Sequence, residues 1–185
     1  MIPFPNKKYR IIYADPPWKF EGNYGKVTES KLSGFGADLR YNTMSNNELF
    51  ELPVSDIAEK NSAIFLWTTN KHLPVAIELI QKWKFVYRTV AFCWVKIAKS
   101  SKKPNCRMGY WTLGGIELCL LGTKGVIKPI NHKIRQVHLL PREGHSKKPE
   151  KFRQEIVKLF GELPRMELFA RQKTEGWDVW GDAIQ

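Results

Sequence analysis

Four consecutive residues, Asp15-Pro16-Pro17-Trp18, place a carboxylate, two prolines and an indole side by side. The prolines hold φ at about −65° and lack backbone N–H donors, so we expect the carbonyls around them to face no competing amide. A carboxylate oxygen beside a backbone carbonyl matches the two N–H donors of an exocyclic amino group. Trp18 adds an aromatic face on which a nucleobase can stack.

This tetrad suggests chemistry on the amino group of adenine. That nitrogen is a poor nucleophile because its lone pair is delocalised into the ring. Two acceptors that hold its hydrogens localise the lone pair and favour attack on an electrophilic methyl group, through positioning and stabilisation of the charge that develops. The alternative interpretation is a structural turn whose tryptophan packs in the core.

The charge of the chain favours a polyanionic partner. Its 185 residues include 30 Lys and Arg against 18 Asp and Glu, a formal net charge of +12. Such a charge attracts nucleic acid first and an anionic membrane surface second. Residues 96–107 and 124–153 are rich in cations, and we expect both tracts to hold phosphates, although a solvated charged face is the alternative. The cations singled out for this role are Lys102, Lys103, Lys147 and Lys148.

The rest of the chain must position the tetrad, and its apolar pattern alternates between strand and helix. Strands are predicted at residues 9–14, 63–67, 85–95, 115–122, 134–140 and 166–170. Helices are predicted from a Ser45–Glu48 capping box towards Lys60, from Thr69 or Asn70 to Lys82, and from Pro149 onwards. This order indicates an α/β fold, a mostly parallel sheet with helices on both faces. Ligands bind at the carboxyl ends of such strands, where Asp15 follows the first one.

Several classes of protein are disfavoured by the composition. No apolar run approaches the roughly 20 residues of a membrane span, and the N-terminus lacks the apolar region of a secretory signal. Three cysteines without a CxxC pair suggest a reducing cytoplasm, and four histidines show no metal-ligand spacing. We therefore expect a cytoplasmic protein without a metal. The absence of a linker predicts a single domain over residues 1–185.

The chain resembles the DPPW-type adenine-N6 methyltransferases, a family that includes the catalytic subunit of the eukaryotic messenger-RNA adenosine methyltransferase and small bacterial and phage DNA enzymes. The resemblance runs from about residue 9 to residue 183, and its landmarks keep their order and spacing. Besides Ala14-Asp15-Pro16-Pro17-Trp18, they are Tyr41-Asn42-Thr43-Met44-Ser45, Phe65-Leu66-Trp67-Thr68-Thr69, Trp94-Val95-Lys96, Gly109-Tyr110-Trp111, Glu117-Leu118-Cys119-Leu120-Leu121-Gly122, Lys148-Pro149 and Glu167-Leu168-Phe169-Ala170-Arg171.

This resemblance implies a Rossmann-like methyltransferase fold that uses S-adenosylmethionine. Asp15 and Pro16 would hold the target amine as part of the Asp15-Pro16-Pro17-Trp18 motif, and Trp18 with Tyr41 would hold the adenine. Asp15 would also lie close to the cofactor and contribute to binding it. Lys96 would pair with the carboxylate of the cofactor. The residues implied around the cofactor's nucleoside are Glu167, Leu168, Phe169, Arg171 and, more weakly, Asp182.

DNA is the favoured substrate, because the small size of the chain fits the phage-type DNA enzymes. Without a separate recognition domain, we expect a short or relaxed target sequence, in a bacterial or phage-infected cytoplasm. An RNA adenosine methyltransferase is the first alternative. A non-catalytic nucleic-acid-binding subunit of the same fold is the second, although the intact Asp15 argues against it. The third alternative is that the methyl acceptor is the amino group of cytosine or a glutamine amide. The sequence is also compatible with a homodimer.

Overall fold

A single sheet organises the part of the chain that the computed structural model describes, which is residues 3–19, 43–109, 111–143 and 147–181. Within these ranges the sheet has seven strands in the order β5-β3-β4-β2-β1-β6-β7. The strands are β1 (Tyr9–Ala14), β2 (Ala58–Thr68), β3 (Val86–Ile97), β4 (Ile116–Lys124), β5 (Val137–Pro141), β6 (Arg165–Leu168) and β7 (Asp178–Trp180).

The pairing of these strands is mostly parallel. β1 runs parallel to β2 and β6, β3 to β5, and β6 to β7. Only β4 among the described strands runs the other way, antiparallel to both β2 and β3. The six parallel strands therefore end, and β4 begins, at one edge, which we call the site edge because Asp15 follows β1 there.

Helices cover both faces of the sheet, as the sequence predicted. The described helices are α1 (Asn46–Glu51), α2 (Val54–Ile57), α3 (Leu73–Lys82) and α4 (Lys151–Phe160). Leu79 and Ile80 of α3 pack in one apolar cluster, whereas Phe152 and Ile156 of α4 pack in a second. None of the described helices is long and apolar enough to cross a membrane.

The central strands supply both clusters because successive side chains of a strand point to opposite faces. In β2, Ile64 and Leu66 face α3, while Phe65 and Trp67 face α4. All four side chains are fully buried. A strand buried on both faces reads as a continuous apolar run, and that pattern made this part of β2 predictable.

One predicted helix is shorter than expected, and one strand was not predicted. The Ser45–Glu48 capping box forms, but its helix ends at Glu51 rather than continuing towards Lys60. Pro53 follows and has no N–H to continue the helical ladder, so a separate short helix precedes β2, which begins at Ala58. Strand β7 was not predicted, since three residues are too few for a periodic signal.

Gly122 of β4 lies directly beneath α3, where a methyl group has no room. A Cβ atom there would lie 2.8 Å from Cγ2 of Ile80 and 2.9 Å from Cγ2 of Ile64. We expect Gly122→Ala to lower the free energy of unfolding by about 1–3 kcal/mol, the usual effect of overpacking a core. Chemical denaturation would measure it. Gly114→Ala is the matched control, since a Cβ there meets nothing within 4 Å; equal stability of the two variants would contradict the prediction.

Candidate active site

Asp15 lies at the site edge with its carboxylate held by a lysine from another element. The Nζ atom of Lys148 is 2.6 Å from Oδ2 of Asp15. The side chain of Lys148 is only 8% exposed, whereas that of Asp15 is 21% exposed. The carboxylate thus keeps one accessible side while the ammonium that neutralises it is buried.

The same ammonium belongs to a chain of four alternating charges. Nζ of Lys148 also lies 3.2 Å from Oε2 of Glu117, and Oε1 of Glu117 accepts a hydrogen bond from Nζ of Lys96. The order along the chain is therefore acid, base, acid, base, from Asp15 to Lys96. Alternation of sign lets each buried ion lie beside an opposite charge, which offsets the loss of water around it.

Electrostatics hold the two inner members of this chain in their charged forms. Burial alone would lower the pKa of Lys148, but the carboxylates of Asp15 and Glu117 outweigh it and raise that pKa above its ordinary value. Burial would likewise raise the pKa of Glu117, yet the two lysines lower it. At the outer end, burial lowers the pKa of Lys96 despite its bond to Glu117.

Strand alternation explains why these groups meet. Tyr13, Trp94 and Cys119 face α4. Asp15, Lys96 and Glu117 each lie two residues from one of these along the strand, so they lie on the same face of the sheet. Lys148 comes from the segment before α4. Because α4 leads back to the start of the parallel strand β6, its N-terminus lies at the site edge, which places Lys148 over the acids.

A polar layer underlies this charge chain. Nε1 of Trp67 donates to the hydroxyl of the fully buried Tyr13 at 2.7 Å. The guanidinium of Arg153 lies over the Tyr13 ring, 5.3 Å from its centroid. Arg153 also holds Glu167, with its Nε 2.7 Å from Oε2. Each of these buried polar groups thus has a partner from another strand or helix.

The Asp15-Pro16-Pro17-Trp18 turn differs from the sequence prediction in its carbonyls. The Trp18 amide donates to the Pro16 carbonyl at 2.9 Å, and the Met44 amide donates to the Pro17 carbonyl at 2.9 Å. The expectation that no amide competes for these acceptors is therefore wrong. The prolines remove only their own donors, and neighbouring amides reach back to them. Each carbonyl retains its second lone pair for a ligand.

Trp18 is part of the core rather than an open stacking surface. Its side chain is 7% exposed, and its Nε1 donates to the Trp67 carbonyl at 3.1 Å. The ring of His72 stacks on it with centroids 5.5 Å apart. The indole is buried and fixes the turn, whereas the sequence led us to expect an open face for a base; contact between Trp18 and the adenine stays a prediction. His72 was missed, as a lone histidine gives no sequence signal for such packing.

The cations expected to hold phosphates separate into two groups. Lys102, Lys103 and Lys147 are exposed. Lys148 is not, since it is buried against the carboxylates. The tract 124–153 is not one surface either: Lys124 lies at the edge opposite Asp15, where it donates to the Ser55 carbonyl. Lys148 thus lies in an ion pair rather than on an exposed basic surface, and phosphate binding by these lysines and by the tract stays a prediction.

A family model for MT-A70 matches residues 9–183. The chain belongs to the MT-A70 family. It is 37% identical to the Type II methyltransferase M.MunI of Mycoplasma sp., with 96% of this chain and 78% of that protein covered. It is 25% identical to the human N(6)-adenosine-methyltransferase catalytic subunit METTL3 and to an MT-A70-like N(6)-adenosine-methyltransferase of Arabidopsis thaliana. The chain spans about a quarter of the length of these two, 28% and 24%.

Membership of the MT-A70 family confirms the resemblance drawn from the motifs. The protein is a methyltransferase, and the mixed, mostly parallel sheet agrees with the Rossmann-like methyltransferase fold that the resemblance implied. No group of three or more potential metal ligands occurs within the described ranges.

Residues of this MT-A70 protein that were predicted around the cofactor lie at or beside the end of β6. Glu167 is buried against Arg153, and Leu168 is fully buried in the cluster under α3. Phe169 follows with a φ of 60° and contacts the ring of Trp180, whereas Arg171 is exposed. The carboxylate of Glu167 and the side chain of Leu168 thus have partners within the protein, and their contacts with a cofactor stay a prediction. Tyr41 and Asp182 lie outside the described residues.

The pair between Arg153 and Glu167 is buried, so removing one partner should be costly. Burial raises the pKa of Glu167 even against the guanidinium. We expect Arg153→Met to lower the free energy of unfolding by about 3–5 kcal/mol, because an unpaired carboxylate is left in the interior. The double variant Arg153→Met/Glu167→Leu should recover most of that loss. Urea denaturation would measure both, and a double variant no more stable than the single one would contradict this account.

His72 should make stability depend on pH. Its Nε2 lies 3.4 Å from the Lys19 carbonyl, so we assign the proton there, and Nδ1 accepts from the Thr69 hydroxyl at 2.9 Å. Burial lowers the pKa of His72 below its ordinary 6.5, against the opposing effect of the Lys19 carbonyl. The unfolded chain then binds the proton more tightly than the folded one.

Acidification through pH 6.5 should therefore lower the free energy of unfolding of the wild type, and the His72 contribution should level off below its folded pKa. His72→Phe keeps a ring on Trp18 but does not titrate. We expect the difference in stability between the two proteins to change across this range, measured by urea denaturation at several pH values. A constant difference would show that His72 titrates alike in both states.

Proposed function

We propose that this chain transfers a methyl group from S-adenosylmethionine to N6 of adenine in DNA, which releases S-adenosylhomocysteine and one proton from N6. The observation that carries the proposal is the carboxylate of Asp15, partly exposed at the site edge and fixed by the buried ammonium of Lys148. A carboxylate that is oriented but still reachable is what recognition of an amino group requires. Membership of the MT-A70 family supports methyl transfer as the reaction.

The charged side chains at the site edge suit the binding of S-adenosylmethionine. Lys96 and Lys148 supply ammonium groups, and Asp15 and Glu117 supply carboxylates, within one chain of ion pairs. These charges complement the carboxylate and ammonium of a methionine moiety. When bound, S-adenosylmethionine supplies an electrophilic methyl group on a sulfonium.

The residues of the chain act on the adenine by positioning it. Oδ2 of Asp15 is held by Lys148, which leaves Oδ1 to accept one N6–H, while a free lone pair on the Pro16 carbonyl accepts the other. Both acceptors interact more strongly as positive charge develops on N6, and that difference between ground and transition state lowers the barrier. Trp18 and His72 keep the turn in place beneath the base.

DNA is favoured over RNA by the extent of similarity. The Type II methyltransferase M.MunI, whose class modifies DNA, is similar to this chain over 78% of its own length. The N(6)-adenosine-methyltransferases are similar over about a quarter of theirs, 24% to 28%. RNA adenosine remains the second candidate, because 95% to 96% of this chain aligns with those relatives.

The decisive test is incubation of the protein with labelled S-adenosylmethionine and either DNA or RNA of matched sequence, followed by digestion to nucleosides. We expect N6-methyldeoxyadenosine from the DNA. Asp15→Asn should reduce the rate by a factor of about 100 or more, because it removes the charge that stabilises the developing cation. Label in adenosine from RNA alone would establish the second candidate instead.

Asp56→Asn is the matched control for that variant. Asp56 is exposed and lies in α2, just before β2 begins, so it is at the edge of the sheet opposite Asp15. The same change of charge there should leave the rate unaltered. Near-normal methylation by Asp15→Asn would refute the mechanism, and absence of S-adenosylmethionine binding in calorimetry would favour a non-catalytic subunit.

A further inference from the structure

The segment that joins β3 to β4 forms a hairpin that stands on the site edge. We call residues 98–109 and 111–115 the rim hairpin. Pro104 pairs with Ile97 in an antiparallel bridge, and Arg107 exchanges two backbone hydrogen bonds with Gly114, at 2.7 and 2.8 Å. These contacts give the segment a defined backbone up to the residues around its tip.

The base of the rim hairpin is joined to the charge chain of the site. The Lys96 amide donates to the Gly115 carbonyl at 2.8 Å, and the Asn105 amide donates to the Lys96 carbonyl at 2.7 Å. Lys96 and Glu117, the residues on either side of the base, form an ion pair. The base of the hairpin is therefore connected to Asp15 through Lys96, Glu117 and Lys148.

The rim hairpin carries positive charge only. Between Lys96 and Glu117 the sequence contains no acid. The cations of the hairpin are all exposed, and they are Lys99, Lys102, Lys103 and Arg107. A surface of this kind complements a phosphate backbone.

The tip of the same hairpin is apolar. Met108 is 84% exposed, Trp111 90% and Leu113 68%. The large indole of Trp111 is mostly exposed, whereas other tryptophans of the chain are buried, for example Trp67 and Trp83. An aromatic side chain framed by cations is the pattern by which proteins combine base stacking with phosphate contacts.

We propose that the rim hairpin inserts Trp111 into the base stack of duplex DNA beside the target adenine. The proposal rests on the proposed function, since a base inside a duplex must leave the stack before its amino group can reach Asp15. Trp111 occupies the space that the extruded base leaves, and the hairpin cations hold the flanking phosphates.

The test uses 2-aminopurine, a base whose fluorescence rises when it leaves the stack. It is placed at the adenine that the wild type methylates or, if the wild type methylates none, at the adenines of a random duplex. We expect the wild type to raise the fluorescence and Trp111→Ala to raise it much less, with Trp111→Phe in between. Val126→Ala, an exposed apolar residue that follows the far end of β4, is the matched control and should behave as wild type.

Methylation of two duplexes separates extrusion from chemistry. On a paired duplex Trp111→Ala should be slower by a factor of about ten, the loss expected when one stacking contact is removed. On the same duplex with an abasic nucleotide opposite the target, where the base is already unpaired, the variant should match the wild type. An equal defect on both duplexes, or none on either, overturns the proposal.

Other outcomes have distinct meanings. A rise in 2-aminopurine fluorescence that depends on Trp111, without methylation of any DNA, would refute the proposed function and leave the insertion standing. No rise with the wild type bound to DNA would refute the insertion alone. If sedimentation shows a wild-type dimer that Trp111→Ala dissociates, while fluorescence is unaltered, the tip is a contact between two copies of the chain and the proposal is wrong.

Discussion

The ammonium of Lys148, buried between the carboxylates of Asp15 and Glu117, is the interaction on which the site depends. An acid at the end of a strand is ordinarily a mobile, hydrated group. Here a single buried cation ties it at 2.6 Å while leaving it partly exposed. Lys148 can remain buried because it has two carboxylate partners, and Glu117 because it has two lysines. The buried ion pair thus orients the carboxylate of Asp15, which stays partly exposed.

This arrangement requires that one face of the sheet carry both a core and a site. The α4 face is apolar in its middle, where Phe65, Phe92 and Phe152 pack together. Towards the site edge it turns polar, through Tyr13 and Trp67 and then the charge chain. Each step outward exchanges apolar contacts for hydrogen bonds and ion pairs, so Tyr13, Trp67 and the members of the charge chain each offset their desolvation with a polar partner. The helix α4 contributes to both parts and binds them together.

Trp18 in the turn and Trp111 in the rim hairpin have different environments. Trp18 is buried against His72 and thereby holds the backbone of the turn in place. Trp111 retains its exposure on a basic projection above the same edge. An enzyme that acts on a long polymer needs a rigid element to position the reacting groups precisely. It also needs an exposed element that can contact the polymer.

The sequence by itself determined much of the fold and the location of the chemistry. The run at Tyr9–Ala14 matches β1, and the continuous apolar strands and amphipathic helices predicted the covered, mostly parallel sheet, because burial on one face or two leaves a local period in the chain. The acid after β1 followed from the same reasoning. Only the tertiary structure decided that Lys148 faces Asp15 across 133 positions, that Trp18 is buried and that Glu167 is paired with Arg153. Such contacts join elements that are distant in sequence. The sequence around a lysine does not show whether it is solvated or forms a buried ion pair, because its partner comes from another part of the chain.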